Sequence, residues 1–243
     1  MASNILFGLL IAVVLTQITG QLTTIYLHRC LAHRSLKLAG PVDIAMRFGL
    51  WLLSGIDRFE WVAVHRKHHA NTDVEGDPHS PYLEGLWKIL IGNLYYYVRE
   101  AHNPETIQIF TRDLRRDWLD RYVFKSGTVG LAFGILTLTT AAVIWRGWIG
   151  GIVVAATASL THAAGYIFLS AAVNGLCHSI GYRHFANTAT NILTIGLLAA
   201  GEGYHNNHHH DPRSPKLGLK WWEFDPAWPV IRLLQMLRLC QVR

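Results

Sequence analysis

Long apolar runs alternate along this chain with shorter polar segments that contain most of its histidines. Three runs are long enough to cross a bilayer, which takes about 20 residues in a helix. They cover roughly Ile5–Tyr26, Gly127–Trp145 and Trp148–Val173. Only Arg146 and Gly147 separate the second run from the third. The pattern therefore predicts a first transmembrane helix within residues 1–26 and a transmembrane hairpin over residues 127–173.

Two shorter apolar stretches, about Pro41–Gly55 and Thr188–Ala200, are weaker candidates for crossing. Charged residues interrupt the first, and the second is only about a dozen residues long, short of a span. Both are typical of helices that lie at the membrane interface or pack against the protein. The C-terminal stretch Pro229–Arg243 mixes apolar residues with arginines and predicts an amphipathic helix resting on the bilayer.

Composition supports a membrane protein. Hydrophobic residues make up 51% of the chain and charged residues 16%, against about a quarter charged in ordinary soluble domains. The length favours one domain, residues 1–243. The three cysteines show no CxxC spacing, so no disulfide framework is expected. The net charge of +6 suits anionic lipid and acidic protein partners, and we expect no nucleic-acid partner.

Nine of the 14 histidines fall at four sites, residues 28–33, 65–69, 174–178 and 205–209. The nine are His28, His33, His65, His68, His69, His178, His205, His208 and His209. Neutral imidazole is a preferred ligand of iron, zinc and copper. Nine imidazoles are too many for one ion and suit two. The sequence therefore predicts a dimetal site.

Helix geometry supports this prediction, because each residue of an α-helix advances about 100°. The second and third histidines of an HxxHH box then lie about 60° and 40° from the first, on one face. Asn174 and His178, four residues apart, share a face in the same way. His28 and His33 differ by about 140°, so both can be ligands only if the helix ends or distorts between them.

The membrane topology follows if all four sites build one centre. A hairpin between His69 and His178 returns the chain to its starting side, whereas a further span at Pro41–Gly55 would separate the first two clusters. Most basic residues fall on the histidine side and only Arg146 on the other, which places the histidines in the cytoplasm. We therefore predict an all-α membrane protein with about three transmembrane helices, interfacial helices, an external N-terminus and a cytosolic cap that holds the histidine-rich dimetal site.

The ligand types argue against two zinc chemistries. Zinc proteases of the HExxH type need a glutamate after the first histidine, and Arg66 and Asn206 occupy those positions. Structural zinc sites favour four ligands that include thiolates. Two ions with only neutral nitrogen ligands indicate redox chemistry with iron and oxygen more than hydrolysis.

Several segments around the histidines carry a family resemblance. They are Phe59-Glu60-Trp61, Gly76-Asp77-Pro78-His79, the Asn174/His178 pair followed by Gly181-Tyr182-Arg183, and Gly201-Glu202. Together with the three boxes around a hairpin, they resemble the integral-membrane fatty acid desaturases, closest to the acyl-CoA (Δ9, stearoyl-CoA-type) branch, and we expect a bacterial source. The resemblance covers roughly Gln21–Asp211.

The resemblance implies a mechanism and partners. The nine histidines would bind two iron ions (Fe2+/Fe3+), with Asn174 holding one through a water molecule. Using O2 as co-substrate, which is reduced to water, the enzyme would remove two hydrogens from a long saturated acyl chain and leave a cis double bond. The acyl group could be carried by CoA, acyl carrier protein or a lipid. A ferredoxin or cytochrome b5-like protein would donate electrons at the cytoplasmic face of the inner membrane.

Residues near the boxes are candidates to orient the ligands, since metal-bound histidine usually donates its other N–H to a carboxylate or carbonyl. They are Glu60, Asp77, His79, Glu202 and Asp211. His162 lies within the predicted span Trp148–Val173. We expect it to form a hydrogen-bonded contact between helices and not to have a functional role.

The chain also departs from the family pattern. Family members usually have two transmembrane helices before the first box, and this sequence has room for one. Where animal acyl-CoA enzymes carry an Arg-Asp pair that helps bind CoA, it has Ala63 and Val64, and Ala171 replaces a tryptophan that shapes their acyl tunnel.

Two alternatives stay open at this point. A diiron membrane hydroxylase or a 1-alkene-forming fatty acid decarboxylase would share the histidine boxes. A non-enzymatic metal transporter or sensor would also be histidine-rich, but its ligands should lie within the membrane, where only His162 falls.

Overall fold

The computed structural model describes residues 1–243, which are mostly helical. The first helix, α1 (Ala2–Leu22), continues as a π-helix over Thr23–Ala32. The others are α2 (Gly40–Leu53), α3 (Arg58–Ala70), α4 (Pro81–Glu84), α5 (Leu86–Ala101), α6 (Pro104–Phe110), α7 (Trp118–Tyr122), α8 (Gly127–Gly175), a 3-10 turn (Leu176–His178), α9 (Leu193–Leu198), α10 (His205–His210) and α11 (Ala227–Met236). Two short strands, β1 (Leu36–Leu38) and β2 (Cys240–Val242), form an antiparallel pair.

Two continuous helical segments, Ala2–Ala32 and Gly127–His178, are long and apolar enough to cross a membrane by length and composition. The second is interrupted at Gly147, whose φ of 74° and ψ of 173° lie outside the helical region. Residues on either side of this break contact each other. A Cβ on Gly151 would lie 2.4 Å from the Val143 Cα atom. The segment is therefore a helical hairpin, as its sequence predicts, and glycine permits the close approach of its two arms.

Helix α1 runs beside the second arm of the hairpin and in the same direction. At the hairpin tip, Arg146 donates from Nε to Asn4 Oδ1 at 3.0 Å. Further along, Thr16 Oγ1 lies 3.0 Å from His162 Nδ1. His162 Nε2 donates to the Leu53 carbonyl at 3.0 Å, so the prediction of an interhelical contact is confirmed. This packing places the N-terminus beside the hairpin tip and the histidine boxes at the opposite end of the bundle.

The Pro41–Gly55 stretch forms α2, which begins beside Pro41 and packs against the first arm of the hairpin. Its Met46 and Leu50 are buried in the largest apolar cluster, together with Ile25 and Leu27 of the π-helix. The prediction that this stretch lies at the interface or packs against the protein is consistent with this placement. The Thr188–Ala200 stretch is helical only over α9, because Asn191 pairs with Tyr182 and Tyr204 in isolated β-bridges.

The helix predicted for the C-terminal stretch is present in its first half and absent from its second, and its contact with a bilayer stays a prediction. Helix α11 buries Ala227 and Ile231 in the largest apolar cluster but ends at Met236. The chain then extends, and Cys240 pairs with Leu38 across the two short strands. Both side chains are buried. The strand pairing, which buries Leu38 and Cys240, takes the place of the last turns of the predicted helix.

Candidate metal centre

The nine predicted histidines come together in two adjacent groups. One group contains five imidazoles, from His28, His33, His65, His69 and His208, and the other four, from His68, His178, His205 and His209. Within each group the candidate ligand atoms lie within 4.8 Å of one another. We refer to them as the five-imidazole group and the four-imidazole group. The sequence prediction of two metal sites thus has a matching arrangement in the structure.

The π-helix brings the first two histidines to the same side. In a π-helix each N–H donates to the carbonyl five residues earlier instead of four, and His33 N donates to the His28 carbonyl in this way at 3.0 Å. The wider turn places the two ring centroids 4.8 Å apart. The helix therefore distorts between His28 and His33, as ligation by both requires.

Each HxxHH box contributes to both groups. On α3, His65 and His69 join the five-imidazole group, whereas His68 joins the four-imidazole group. On α10 the division is reversed, because His208 joins the five-imidazole group while His205 and His209 join the other. Two short helices thereby fix the position of one group relative to the other.

The spacing of the imidazole nitrogens fits metal coordination. A zinc-sized ion binds imidazole nitrogen at about 2.0–2.1 Å, so two nitrogens on one ion lie about 3.0 Å apart at a right angle and about 3.4 Å apart at a tetrahedral angle. The Nε2–Nε2 distances are 2.7 Å for His33–His65, 3.0 Å for His28–His208, 2.9 Å for His69–His208, 3.1 Å for His205–His209 and 3.4 Å for His68–His209. The residues present therefore fit two transition-metal ions.

Three carboxylates orient candidate ligand rings by accepting a hydrogen bond from Nδ1, the ring nitrogen that points away from the metal position. Glu202 Oε1 lies 2.7 Å from His28 Nδ1, and both Asp77 oxygens lie 3.0 Å from His68 Nδ1. An Nδ1–H that donates to a carboxylate leaves the Nε2 lone pair free for a metal. The structure thus places two of the predicted orienting residues, Asp77 and Glu202, behind candidate ligands.

Asp73 is the third carboxylate, and the sequence analysis missed it. Its Oδ2 lies 2.7 Å from His178 Nδ1, and its backbone N–H donates to Asp77 Oδ2 at 2.8 Å. His178 Nε2 is buried with no partner, as expected of a nitrogen that faces a metal position. The available signal was the position of Asp73 in the polar turn after the second box, four residues before Asp77.

The other predicted orienting residues lie elsewhere. Glu60 occupies the first turn of α3, and no box imidazole lies within hydrogen-bonding distance of its carboxylate. Asp211 is exposed, and its carboxylate accepts from Arg213 N at 3.2 Å. His79 stacks on His68 with ring centroids 4.7 Å apart, so it buttresses a candidate ligand.

The electrostatics favour neutral imidazoles. The pKa of six imidazoles is lowered well below the usual range, mainly by burial and further by the neighbouring imidazoles. They belong to His33, His65, His69, His205, His208 and His209. Burial raises the pKa of Asp77, but the hydrogen bond with His68 outweighs it and lowers that pKa to about 2. Neutral nitrogens backed by ionised carboxylates are the form in which imidazole binds metal.

Asn174 lies at the edge of the four-imidazole group. Its Nδ2 donates to Asn93 Oδ1 at 2.8 Å, and its side chain lines the same cavity as His68 and His205. The role of Asn174 as a ligand through a water molecule stays a prediction.

An internal cavity of about 90 Å3 adjoins the histidines on the side of the long helices. His65, His68 and His205 line it together with apolar residues such as Leu169 and Val173. A second cavity of about 290 Å3, lined mostly by apolar residues, lies further along the bundle. Both are bordered by Trp61, Tyr166 and Ser170. The two cavities therefore adjoin, and the second extends away from the imidazoles into the helix bundle.

Comparison with known proteins agrees with this geometry. The pattern of the fatty acid desaturase family matches residues 3–236. The chain belongs to this family. It is 32% identical over 96% of its length to Delta-9 acyl-lipid desaturase 1 of Arabidopsis thaliana, covering 73% of that protein. It is 31% identical over 94% of its length to sn-1 stearoyl-lipid 9-desaturase of Anabaena variabilis, covering 81% of it.

A third relative, acyl-CoA C20 Delta5-desaturase of Anemone leveillei, is 33% identical over 89% of this chain and 67% of its own. Membership identifies the protein as an oxidoreductase, a fatty acyl desaturase. The relatives act on acyl groups with different carriers, as their names state, and they come from plants and a cyanobacterium. The bacterial source stays a prediction.

Three positions at which this desaturase departs from the animal acyl-CoA pattern are buried. Ala63 and Val64 on α3 are 0% and 2% exposed, and Ala171 on α8 is 0% exposed. Neither Ala63 nor Val64 presents a polar group to the surface. An acyl carrier therefore has no ionic contact to make at these two positions.

Proposed function

We propose that this protein is an O2-dependent membrane desaturase that introduces a cis double bond into a long saturated acyl chain at a diiron centre. The observation that carries the proposal is the pair of imidazole groups beside an apolar cavity. All nine histidines are assigned as iron ligands, with Asn174 acting through a water molecule. The whole chain, residues 1–243, is one catalytic domain.

Two bound irons would supply the oxidising power that removes hydrogen from unactivated methylenes while O2 is reduced to water. The protein's own residues do the remaining work. Asp73, Asp77 and Glu202 hold His178, His68 and His28 in the tautomer that presents Nε2 to the centre. Trp61 stacks on His65 with centroids 4.8 Å apart and borders the cavity, so it holds the His65 ring in place.

The same geometry supports proposals for the substrate and the membrane topology. An extended acyl chain would occupy the two adjoining cavities, from Leu169 near the imidazoles to Leu131 deeper in the bundle. The hairpin and α1 would make three crossings of the inner membrane, with the histidines in a cytosolic cap. The parallel packing of α1 and the second arm supports this arrangement, since it puts all four boxes at one end.

Electrons must come from a separate protein, for which an acidic ferredoxin or a cytochrome b5-like carrier is suited. The acyl group would arrive on CoA, acyl carrier protein or a lipid. Family membership favours this enzymatic role over a metal transporter or sensor.

Fatty-acid profiling after expression in a host that lacks its own desaturase tests the proposal. We expect a new internal double bond, located by mass spectrometry, and about two irons per chain in the purified protein. A His178→Ala variant expressed at the same level should give no product. New hydroxy acids or 1-alkenes without an internal double bond would instead assign a hydroxylase or decarboxylase. Bound zinc or copper, with no oxidation of acyl chains, would contradict the diiron proposal.

A further inference from the structure

The guanidinium of Arg66, in the second histidine box, joins α3 to the π-helix and to α6. Its Nε donates to the Ala32 carbonyl at 3.0 Å, and its Nη2 donates to the Leu31 carbonyl at 2.7 Å. Its Nη1 donates to the Phe110 carbonyl at 2.8 Å. Asp113 accepts from both Nη atoms, at 2.6 and 3.2 Å. A guanidinium has five N–H donors, so every donor of Arg66 has a partner.

The carbonyls that Arg66 contacts need a donor from another element. The last carbonyls of a helix have no partner within that helix. Leu31 and Ala32 are the last two residues of the π-helix, and Phe110 is the last residue of α6. A positive charge is also favourable at these ends, because the carboxyl end of a helix carries partial negative charge. Arg66 therefore caps two helices from a third.

The capped end of the π-helix determines where His33 lies. The next residue, Arg34, leaves the helix with a φ of 55°, in the left-handed region. Glu202 orients the ring of His28, but no carboxylate contacts the ring of His33, whose Nε2 lies beside another imidazole. The His33 ring is therefore positioned by its backbone. Asp113 also pairs with Arg34, so the chain is held on both sides of His33.

We propose that Arg66 is a positioning residue of the metal centre, which holds the end of the π-helix so that the His33 imidazole stays beside those of the second box. The inference rests on the proposed function, since it treats these imidazoles as ligands of a bound ion. The Nε2 atoms of His33 and His65 lie 2.7 Å apart, and the ring centroids of His33 and His69 lie 4.6 Å apart. Metal–ligand distances vary by only about 0.2 Å, so a loosened helix end would weaken metal binding.

The alternative is that Arg66 only anchors α3 in the fold, as its neighbour Lys67 does. The Nζ of Lys67 donates to Glu100 Oε1 at 2.7 Å and to Thr106 Oγ1 at 3.3 Å, and it does not contact the π-helix. Lys67→Gln is therefore the matched control. It removes one cation and one tertiary contact from the same helix and leaves the end of the π-helix capped.

A double-mutant cycle on the full-length, metal-free protein in lipid nanodiscs tests the proposal. Arg66→Gln removes the charge and most of the donors, whereas Arg66→Lys keeps the charge on a single nitrogen. His33→Ala removes the ligand through which Arg66 would act, and it identifies the five-imidazole group as the site whose affinity it lowers. Arg66→Gln and Lys67→Gln are each combined with His33→Ala. Anaerobic titration measures Fe2+ affinity, and denaturant measures the free energy of unfolding.

We expect Arg66→Gln to lower the Fe2+ affinity of the five-imidazole group about ten-fold, the lower end of the range for residues that support ligands. Arg66→Lys should fall between this variant and the unmodified protein. In the His33→Ala background, Arg66→Gln should cost less than about two-fold, because the ligand that it positions is gone. Lys67→Gln should change the affinity less than about two-fold in either background, even where it lowers the free energy of unfolding as Arg66→Gln does.

Mössbauer spectra of the iron-loaded variants give a second readout. The signal of one iron should change in Arg66→Gln in the same way as in His33→Ala, and the signal of the other iron should stay as in the unmodified protein. A general loosening of the fold would alter both signals.

Three results would overturn the positioning role. They are an unchanged Fe2+ affinity in Arg66→Gln, a loss that adds in full to that of His33→Ala, and an equal loss in Lys67→Gln. If Arg66→Gln does not fold, the cycle is run with Arg66→Lys and the same results decide. Because the titration needs no turnover, these results are distinguishable from a failure of the proposed function, which would appear as absence of unsaturated product from the unmodified protein.

Discussion

The two imidazole groups differ in how their ligands are supported. In the four-imidazole group, two of the four rings donate Nδ1–H to buried aspartates, His68 to Asp77 and His178 to Asp73. In the five-imidazole group only His28 has such a partner, Glu202. One group thus combines fewer nitrogens with more negative charge behind them, and the other combines more nitrogens with less charge. The comparison suggests two ways of holding a dication. In the four-imidazole group, carboxylates make a few ligands more basic, and in the five-imidazole group a larger number of ligands binds the ion.

Removal of a ligand should have the largest effect on desaturation, and its effect on iron content should differ between the two groups. His178→Ala leaves three imidazoles in its group, whereas His33→Ala leaves four in the other. We expect both variants to lose at least about 100-fold in desaturation, more than substitutions behind the ligands cause. The iron content should fall further in His178→Ala, to about one iron per chain, when measured by elemental analysis. Equal iron loss in both would contradict the idea that ligand number compensates in the five-imidazole group.

Removal of a negative charge that contacts a ligand ring should have the second-largest effect. Asp73→Asn keeps an oxygen that can accept from His178 Nδ1 but removes the negative charge. We expect iron affinity in the four-imidazole group to fall about 10–100-fold, the usual effect of such partners. Titration of the metal-free protein with Fe2+ under anaerobic conditions measures it. An unchanged affinity would show that Asp73 only positions the ring.

Glu202→Gln applies the same change to the other group. Five nitrogens share this one carboxylate, so we expect a loss near the lower end of the range, about ten-fold. The same anaerobic titration reports it. A loss larger than that of Asp73→Asn would reverse the comparison and make Glu202 the more important carboxylate. The Oγ1 of Thr24 also donates to Glu202, so Thr24→Val provides a milder variant at the same position.

Asp211→Asn should have the smallest effect and serves as the charge control for both carboxylate variants. Its carboxylate is exposed and accepts a hydrogen bond from Arg213 N at 3.2 Å. We expect less than a two-fold change in iron affinity. A change comparable to that of Asp73→Asn would mean that net charge, and not contact with a ligand ring, controls metal binding.

Much of the site was predictable because the spacing of histidines within one helix determines which of them share a face. The HxxHH boxes share a face at any position in a fold, so His65 and His69 needed no tertiary information. The hairpin followed from Arg146 and Gly147 between two apolar runs. In contrast, Asp73 contacts His178 across 105 residues of sequence. Such a contact depends on how α3 and α8 pack, which local pattern does not reveal.

Proximity in sequence was misleading at two positions for the same reason. Glu60 and Asp211 stand as close to a box as Asp77 does, yet neither reaches a candidate ligand. Glu60 lies five residues before His65 on α3, a different face of a regular helix. Asp211 follows the last residue of α10 and extends to solvent. The strand that ends the chain was likewise missed, because its partner Leu36–Leu38 is far away in sequence.

The π-helix between Thr23 and Ala32 has a consequence for how the first box tolerates changes in length. Deleting one residue between His28 and His33 would restore ordinary α-helical bonding, and the two histidines, then four apart, would lie about 40° from each other. Both imidazoles would still project to the same side. The HxxHH boxes lie on regular α-helices, where one residue gained or lost rotates every later ligand by about 100°. Single-residue insertions and deletions among relatives should therefore accumulate in the first box and be absent from the other two.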